Sequence, residues 1–321
     1  SELRQAISAH QKRFYDLDFD SETEILVTAG ATEGIAASLL SICESGDEVI
    51  TFEPYYDSYA ASIALAGATR RVVTLRAPNY DFDPDELRKA VNANTKVILV
   101  NSPHNPTGKV FDMEELLLIS EICQEHDIVA ICDEVYEHLV FEGSHTPLMS
   151  FPGMRDRTIQ ISSAGKTFSF TGWKIGWVCA QPALLNTVRT AKQFLTYVNG
   201  APFQHAIASA LELPDAYFHN FLADMEKKRD CLSGGLEDAG FTVFKPAGTF
   251  FITADIRPFG ISDGRQFCLD LPELCGVVAV PNVVFYDNKE EGESLVRFAF
   301  CKQLTVLESA VSRLRSLGVN K

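Results

Sequence analysis

The stretch Ser162-Ser163-Ala164-Gly165-Lys166-Thr167-Phe168-Ser169-Phe170-Thr171-Gly172-Trp173-Lys174-Ile175-Gly176-Trp177 sets two lysines eight residues apart among aromatics, glycines and hydroxyls. It follows one β-branched run, Thr158 to Ile161, and leads into another, Ile175 to Cys179. For an arbitrary lysine the common arrangement is an aliphatic stem packed in a loop with its ammonium in water. A lysine held in a low-dielectric pocket instead keeps part of its amine neutral and able to condense with an aldehyde. The company of these two lysines favours the second arrangement for one of them.

Working outward, short β-branched runs alternate with longer helical patterns from about Glu24 to Gln181. Strands are expected at Ile25 to Val27, Glu48 to Phe52, Arg71 to Leu75, Lys96 to Asn101, Ile128 to Asp133, Thr158 to Ile161 and Ile175 to Cys179. Helices are expected at Thr32 to Cys43, Asp83 to Val91 and Met113 to Glu125. This is the pattern of an α/β fold, a mainly parallel sheet covered by helices on both faces. Ligands in such folds bind at the loops beyond the strand C-termini, where the unusual residues of this chain gather. After Pro182 the texture becomes α+β: a helix to about Tyr197, a long helix from Asp215 to Leu236, strands at Thr242 to Phe244, Thr249 to Ala254, Val277 to Val280 and Leu295 to Phe300, and a last helix from Leu304 to Leu317. The expected division is a large domain over 20–212 and a smaller one formed by 1–19 with 213–321.

Several residues carry chemistry at these strand ends. Asp133 closes the apolar run Ile128-Val129-Ala130-Ile131-Cys132; alone, such an aspartate is more often a helix cap. Asn101-Ser102-Pro103-His104-Asn105-Pro106-Thr107-Gly108 follows another buried run and by itself reads as turn chemistry. Gly30-Ala31-Thr32-Glu33-Gly34 opens a helix, whose free N–H groups and positive dipole end suit a phosphate dianion. Arg297 is the single charge in Leu295-Val296-Arg297-Phe298-Ala299-Phe300. A buried guanidinium needs a carboxylate or a bound anion, and its planar fork grips carboxylates in bidentate fashion.

The segment around Lys166 resembles the Ser-x-x-Gly-Lys-x-x-x-x-x-Gly-Trp-Lys-x-Gly signature of class I/II aminotransferases, pyridoxal-phosphate enzymes of fold type I, and the resemblance extends over the whole chain. It implies that Lys166 holds the cofactor covalently and is the catalytic base, and that Ser163 and Lys174 bind its phosphate together with the backbone of Ala31 and Thr32. It implies further that Asp133 pairs with the pyridine nitrogen and Tyr136 and Asn105 hydrogen-bond the 3-hydroxyl. Val135 and Tyr56 then lie on the two ring faces, the Asn105–Pro106 bond is a candidate cis peptide, and Arg297 binds the substrate α-carboxylate, with Asn105 beside it. The implied reaction moves an amino group between an amino acid and a 2-oxo acid, commonly 2-oxoglutarate, in a homodimer.

Two further segments, Ala191 to Gln204 and Phe267 to Glu273, look most like the actinobacterial N-succinyldiaminopimelate aminotransferases of lysine biosynthesis. The same branch holds kynurenine, glutamine and methionine aminotransferases, some of which also cleave cysteine S-conjugates as β-lyases. A cofactor-binding module kept for regulation is the third reading; the full catalytic set and the lack of a DNA-binding module speak against it.

Composition bounds the rest. The 321 residues are 46% apolar and carry a net charge of −15 with no basic cluster, so nucleic acid and anionic lipid are poor partners. No apolar run reaches the roughly 20 residues that span a bilayer. The eight cysteines form no Cys-x-x-Cys pair and most lie in apolar runs, which reads as a reducing, cytoplasmic setting without disulfides. No His/Cys spacing marks a metal site. The chain opens at Ser1 without Met and Glu2 to His10 already has the pattern of a helix interior, so an N-terminal segment is expected ahead of it. Family members carry several dozen residues there, including a pocket-shaping strand with glycine and a tyrosine reaching the partner's phosphate; neither is assignable within this sequence.

Overall fold

The computed structural model describes residues 1–318. Seven strands form the larger sheet: β1 (Ile25–Thr28), β2 (Glu48–Glu53), β3 (Thr69–Thr74), β4 (Thr95–Asn101), β5 (Val129–Asp133), β6 (Thr158–Ser163) and β7 (Gly176–Cys179). Their order is β1-β7-β6-β5-β4-β2-β3. The pairs β2–β3, β2–β4, β4–β5 and β5–β6 are parallel, and β6–β7 and β7–β1 are antiparallel. The mainly parallel sheet read from the sequence is therefore present.

Both faces are buried, and the period of two along each strand shows how. Ile98 and Val100 of β4 pack with Leu116, Ile119 and Ile122 of the helix Met113–Glu125. That helix starts at a capping box in which Asp112 and Glu115 bond each other's backbone N–H. Val97 and Leu99, pointing the other way, pack with Ile35 and Leu39 of the helix Gly30–Ile42 and with Leu185 and Val188 of the helix Pro182–Gln193. Because β4, β5 and β6 run parallel in register, Asn101 stands beside Asp133, and Asp133 beside Ile161, so three strands deliver polar residues to one edge.

The second sheet is antiparallel, with β8 (Thr242–Phe244), β9 (Phe251–Asp255), β10 (Val280–Pro281) and β11 (Leu295–Ala299) in the order β10-β11-β9-β8. The expected strand from Val277 shrinks to two residues. Val278 is 74% exposed, and Pro281 has no N–H to extend a ladder. The helix Asp215–Ala239 spans the molecule: Phe218 joins the core under the large sheet, whereas Leu232 and Leu236 join that of the small sheet.

Among the described residues five α-helices go beyond those expected from the sequence: Asp57–Leu65, Ala201–Leu211, Gly264–Cys275 and the single turns Ala164–Thr167 and Lys289–Gly292. The helix after Pro182 stops at Gln193, short of Tyr197. A further correction concerns the first helix, Glu2–Tyr15, which the domain reading placed with the smaller unit. Its apolar stripe Leu3, Ala6 and Ile7 packs instead against Ile25, Trp177 and Cys179 of the large sheet and Ile207 of the helix Ala201–Leu211. All eight cysteines are free thiols, and no helix among the described residues is long and apolar enough to cross a membrane.

Candidate active site

A cavity of about 390 Å³ opens where the C-terminal ends of β4, β5 and β6 meet β9 and β11 of the small sheet. All the candidate side chains named from the sequence line it: Ala31, Thr32, Tyr56, Asn105, Asp133, Val135, Tyr136, Ser163, Lys166, Lys174 and Arg297. They come from loops far apart in the chain, gathered by the parallel register.

Lys166 sits on the single helical turn Ala164–Thr167 that follows β6. Its Nζ lies 5.6 Å from the Tyr136 ring centre and 5.3 Å from that of Phe250. Burial draws its ammonium below the ordinary lysine range, while the Asp133 carboxylate pulls the other way. Asp133, at the end of β5, is buried and bound on both oxygens: Tyr59 donates its hydroxyl to Oδ2 at 2.7 Å and the Val135 N–H donates to Oδ1 at 3.3 Å. Burial pushes this carboxyl up to about 6, and the two hydrogen bonds restrain the rise. The Asn101 amide fixes the Asp133 carbonyl at 2.8 Å and its own carbonyl oxygen accepts from the Asn105 N–H at 2.8 Å, tying the loops after β4 and β5 together. The Asn105–Pro106 peptide bond is cis.

At the opposite end of the cavity, Lys174 takes a left-handed backbone with φ 52°. Its amine lies over the start of the helix Gly30–Ile42: a Cβ built on Gly30 would stand 3.5 Å from Nζ. Gly176 approaches the same turn so closely that a Cβ there would fall 2.5 Å from the Gly30 carbonyl carbon. Glycine at both positions lets a lysine amine and a helix N-terminus converge, a cationic cradle of phosphate size. Ser163, buried beside it, pairs with Gly176 across the β6–β7 ladder. On the third side Arg297 lies between two rings, 4.0 Å from the Phe251 centre and 4.7 Å from Phe285. Its Nη1 donates to Asn105 Oδ1 at 2.8 Å.

The sequence model for aminotransferases of class I and II matches residues 1–314, nearly the whole chain. The chain belongs to this family. Among solved structures, the N-succinyldiaminopimelate aminotransferase of Mycobacterium tuberculosis is 48% identical and superimposes with a TM-score of 0.96, covering 98% of this chain and 83% of the other. An Escherichia coli structure whose reactivity identified a methionine aminotransferase function is 33% identical, with a TM-score of 0.95 and coverage of 98% and 83%. Human kynurenine–oxoglutarate transaminase 3 is 35% identical over 99% of this chain and 77% of its own length.

This aminotransferase is thus a pyridoxal-phosphate-dependent transferase acting on an amino acid and a 2-oxo acid. Its residues fit that cofactor: an amine of lowered basicity is coupled to a buried carboxylate, with a cationic cradle at one end and, at another, a guanidinium that has no carboxylate partner among the described residues. Sequence reading missed the aromatic walls Phe251 and Phe285, which look like ordinary core in apolar runs. It also missed Tyr59, whose position one helical turn after Tyr56 was the available signal.

Among the described residues one cluster outside this cavity has metal-ligand chemistry: ligand atoms of His10, Glu137 and His138 lie within 4.8 Å of one another. The two Nε2 atoms are 2.7 Å apart, a hydrogen-bond separation and shorter than the ~3.3 Å that ligands of one tetrahedral ion with bonds of about 2.0–2.1 Å require. Burial holds both imidazoles neutral, so one donates to the other.

Proposed function

We propose that the chain is the N-succinyl-L,L-diaminopimelate aminotransferase of lysine biosynthesis, passing the amino group to 2-oxoglutarate. The observation that carries this reading is the 48% identity and TM-score of 0.96 to the Mycobacterium tuberculosis enzyme of that name, over almost the entire chain. The second reading is a kynurenine, glutamine or methionine aminotransferase with cysteine S-conjugate β-lyase activity. The aromatic walls Tyr56, Phe251 and Phe285 and the 35% identity to the human kynurenine enzyme favour it.

In the proposed division of labour, Lys166 bears the cofactor. Asp133 faces the pyridine nitrogen, Tyr136 and the Asn105 amide donate to the 3-hydroxyl, and Val135 and Tyr56 hold the two ring faces. Ser163, Lys174 and the backbone N–H groups of Ala31 and Thr32 take the phosphate. When bound, pyridoxal phosphate supplies the electron sink for the pair left behind as the substrate Cα loses its proton. Arg297 grips the α-carboxylate and so orients the Cα–H bond toward Lys166. Once the substrate's amine displaces it, the freed Lys166 Nζ would take the Cα proton as a base and then release it as an acid to complete the transfer. The Asn105 carbonyl, already bonded to Arg297, keeps the guanidinium aimed while the site awaits substrate.

We also propose a cytoplasmic homodimer, with units over 20–212 and 213–318 and the first helix joined to the larger. Phe194, Tyr197 and Val198 are 81, 72 and 70% exposed next to one another, an apolar patch of the kind that partner subunits cover. Kinetics with a panel of amino donors and 2-oxoglutarate tests the substrate. Ping-pong turnover of N-succinyl-L,L-diaminopimelate far above kynurenine, glutamine and methionine is the expected result. Preference for kynurenine, or pyruvate and ammonia formed from cysteine conjugates without an oxo acid, favours the second reading.

A further inference from the structure

Tyr59 is 1% exposed, on the first turn of the helix Asp57–Leu65. Its hydroxyl reaches Asp133 Oδ2 at 2.7 Å, and its ring meets that of Tyr56 edge to face at 5.6 Å. One side chain therefore touches both the carboxylate assigned to the pyridine nitrogen and the aromatic assigned to a ring face. Among the described residues no guanidinium or ammonium is in hydrogen-bonding contact with the Asp133 carboxylate; its partners are the neutral Tyr59 hydroxyl and the Val135 N–H. A buried carboxylate stays ionised as far as hydrogen bonds and nearby cations offset its desolvation; at Asp133 the Tyr59 hydrogen bond acts first, Lys166 adds to it through space, and Glu134 opposes both.

We propose that Tyr59 is a positioning residue that keeps Asp133 ionised and fixes its rotamer, so that the carboxylate can pair with a protonated pyridine nitrogen before substrate arrives. The proposal rests on the reading of Asp133 given above. Tyr59 borders the cavity with only 1% of its surface exposed; it acts through Asp133, and through Tyr56 it couples the orientation of the carboxylate to that of the stacked ring. Its hydroxyl donates to Oδ2, which leaves Oδ1, bound only by the longer Val135 contact, as the oxygen free to turn toward the cavity.

The test uses the full chain freed of cofactor, with the Asp133 carboxyl followed by infrared difference spectra against Asp133→Asn. In Tyr59→Phe the titration midpoint should rise by about one pH unit. Pyridoxal phosphate should bind about tenfold more weakly than to wild type near pH 5, about twofold more weakly at pH 7 and about equally above pH 8. Replacing Tyr59 with 3-fluorotyrosine, a stronger donor of nearly the same size, should move the midpoint down and serves if the Phe variant does not fold. An unchanged midpoint in both variants, or an affinity loss in Tyr59→Phe that does not vary with pH, overturns the proposal. If the midpoints move as expected but Asp133→Asn binds the cofactor as tightly as wild type, the reading of Asp133 fails while its coupling to Tyr59 stands.

Discussion

The Arg297 guanidinium is bonded to an amide rather than a carboxylate: Nη1 donates to Asn105 Oδ1 at 2.8 Å, and the group is pressed between Phe251 and Phe285. Asp57 acts on it only at a distance, and burial draws its basicity down. A cation held this way costs stability and gains a full partner only when an anion enters.

Two opposite effects follow from that arrangement at one position. Arg297→Met should lower kcat/KM for the amino donor on the order of 10² to 10³-fold, about 3–4 kcal/mol, within the range for truncating one partner of a buried charge pair. The same change should raise the stability of the cofactor-free protein by about 1 kcal/mol, because an unpaired buried charge is removed. Steady-state kinetics and urea unfolding of one variant check both.

Gly176→Ala should damage the cationic cradle. The new methyl would lie 2.5 Å from the Gly30 carbonyl carbon and 2.8 Å from the Ala31 nitrogen, so backbone must move. A loss of about 1–3 kcal/mol in stability is expected, with weaker pyridoxal phosphate binding measured by fluorescence titration. Gly172→Ala is the control, since nothing stands within 4 Å of a Cβ there.

Glu137 lies behind the site, where burial raises its carboxyl from 4.5 to about 7 against a hydrogen bond from Ser162. A folded-state value above the unfolded one contributes stability that is complete below pH 4.5 and lost as pH rises through 7. Gln cannot ionise, so Glu137→Gln escapes that loss. Relative to wild type the variant should gain on the order of 3 kcal/mol between pH 4.5 and pH 8. Denaturant unfolding of the cofactor-free protein across that range gives the comparison.

What was legible in the sequence is what local pattern controls. The β-branched runs ending in Asn101, Asp133 and Ser163 announced a parallel sheet with polar residues at one edge, and every candidate side chain does line the cavity there. The Lys166 segment and the isolated charge at Arg297 could be read because each breaks its surroundings. The first helix was misplaced because Leu3, Ala6 and Ile7 show that one face is buried without showing against which sheet. Val277 to Ala279 has the composition of a strand and finds no partner to pair with among the described residues, a fact of the tertiary structure alone. Tyr59, Phe251 and Phe285 look like core residues; only the approach of Asp133 or Arg297 gives them a further part.

Borohydride reduction of the full chain loaded with pyridoxal phosphate, followed by peptide mapping, tests the central assignment most directly. The cofactor mass should be found on the peptide bearing Lys166, in a one-to-one ratio with protein, and vanish from Lys166→Ala. Label on Lys174 in the unmodified chain, or undiminished label in Lys166→Ala, would contradict the account.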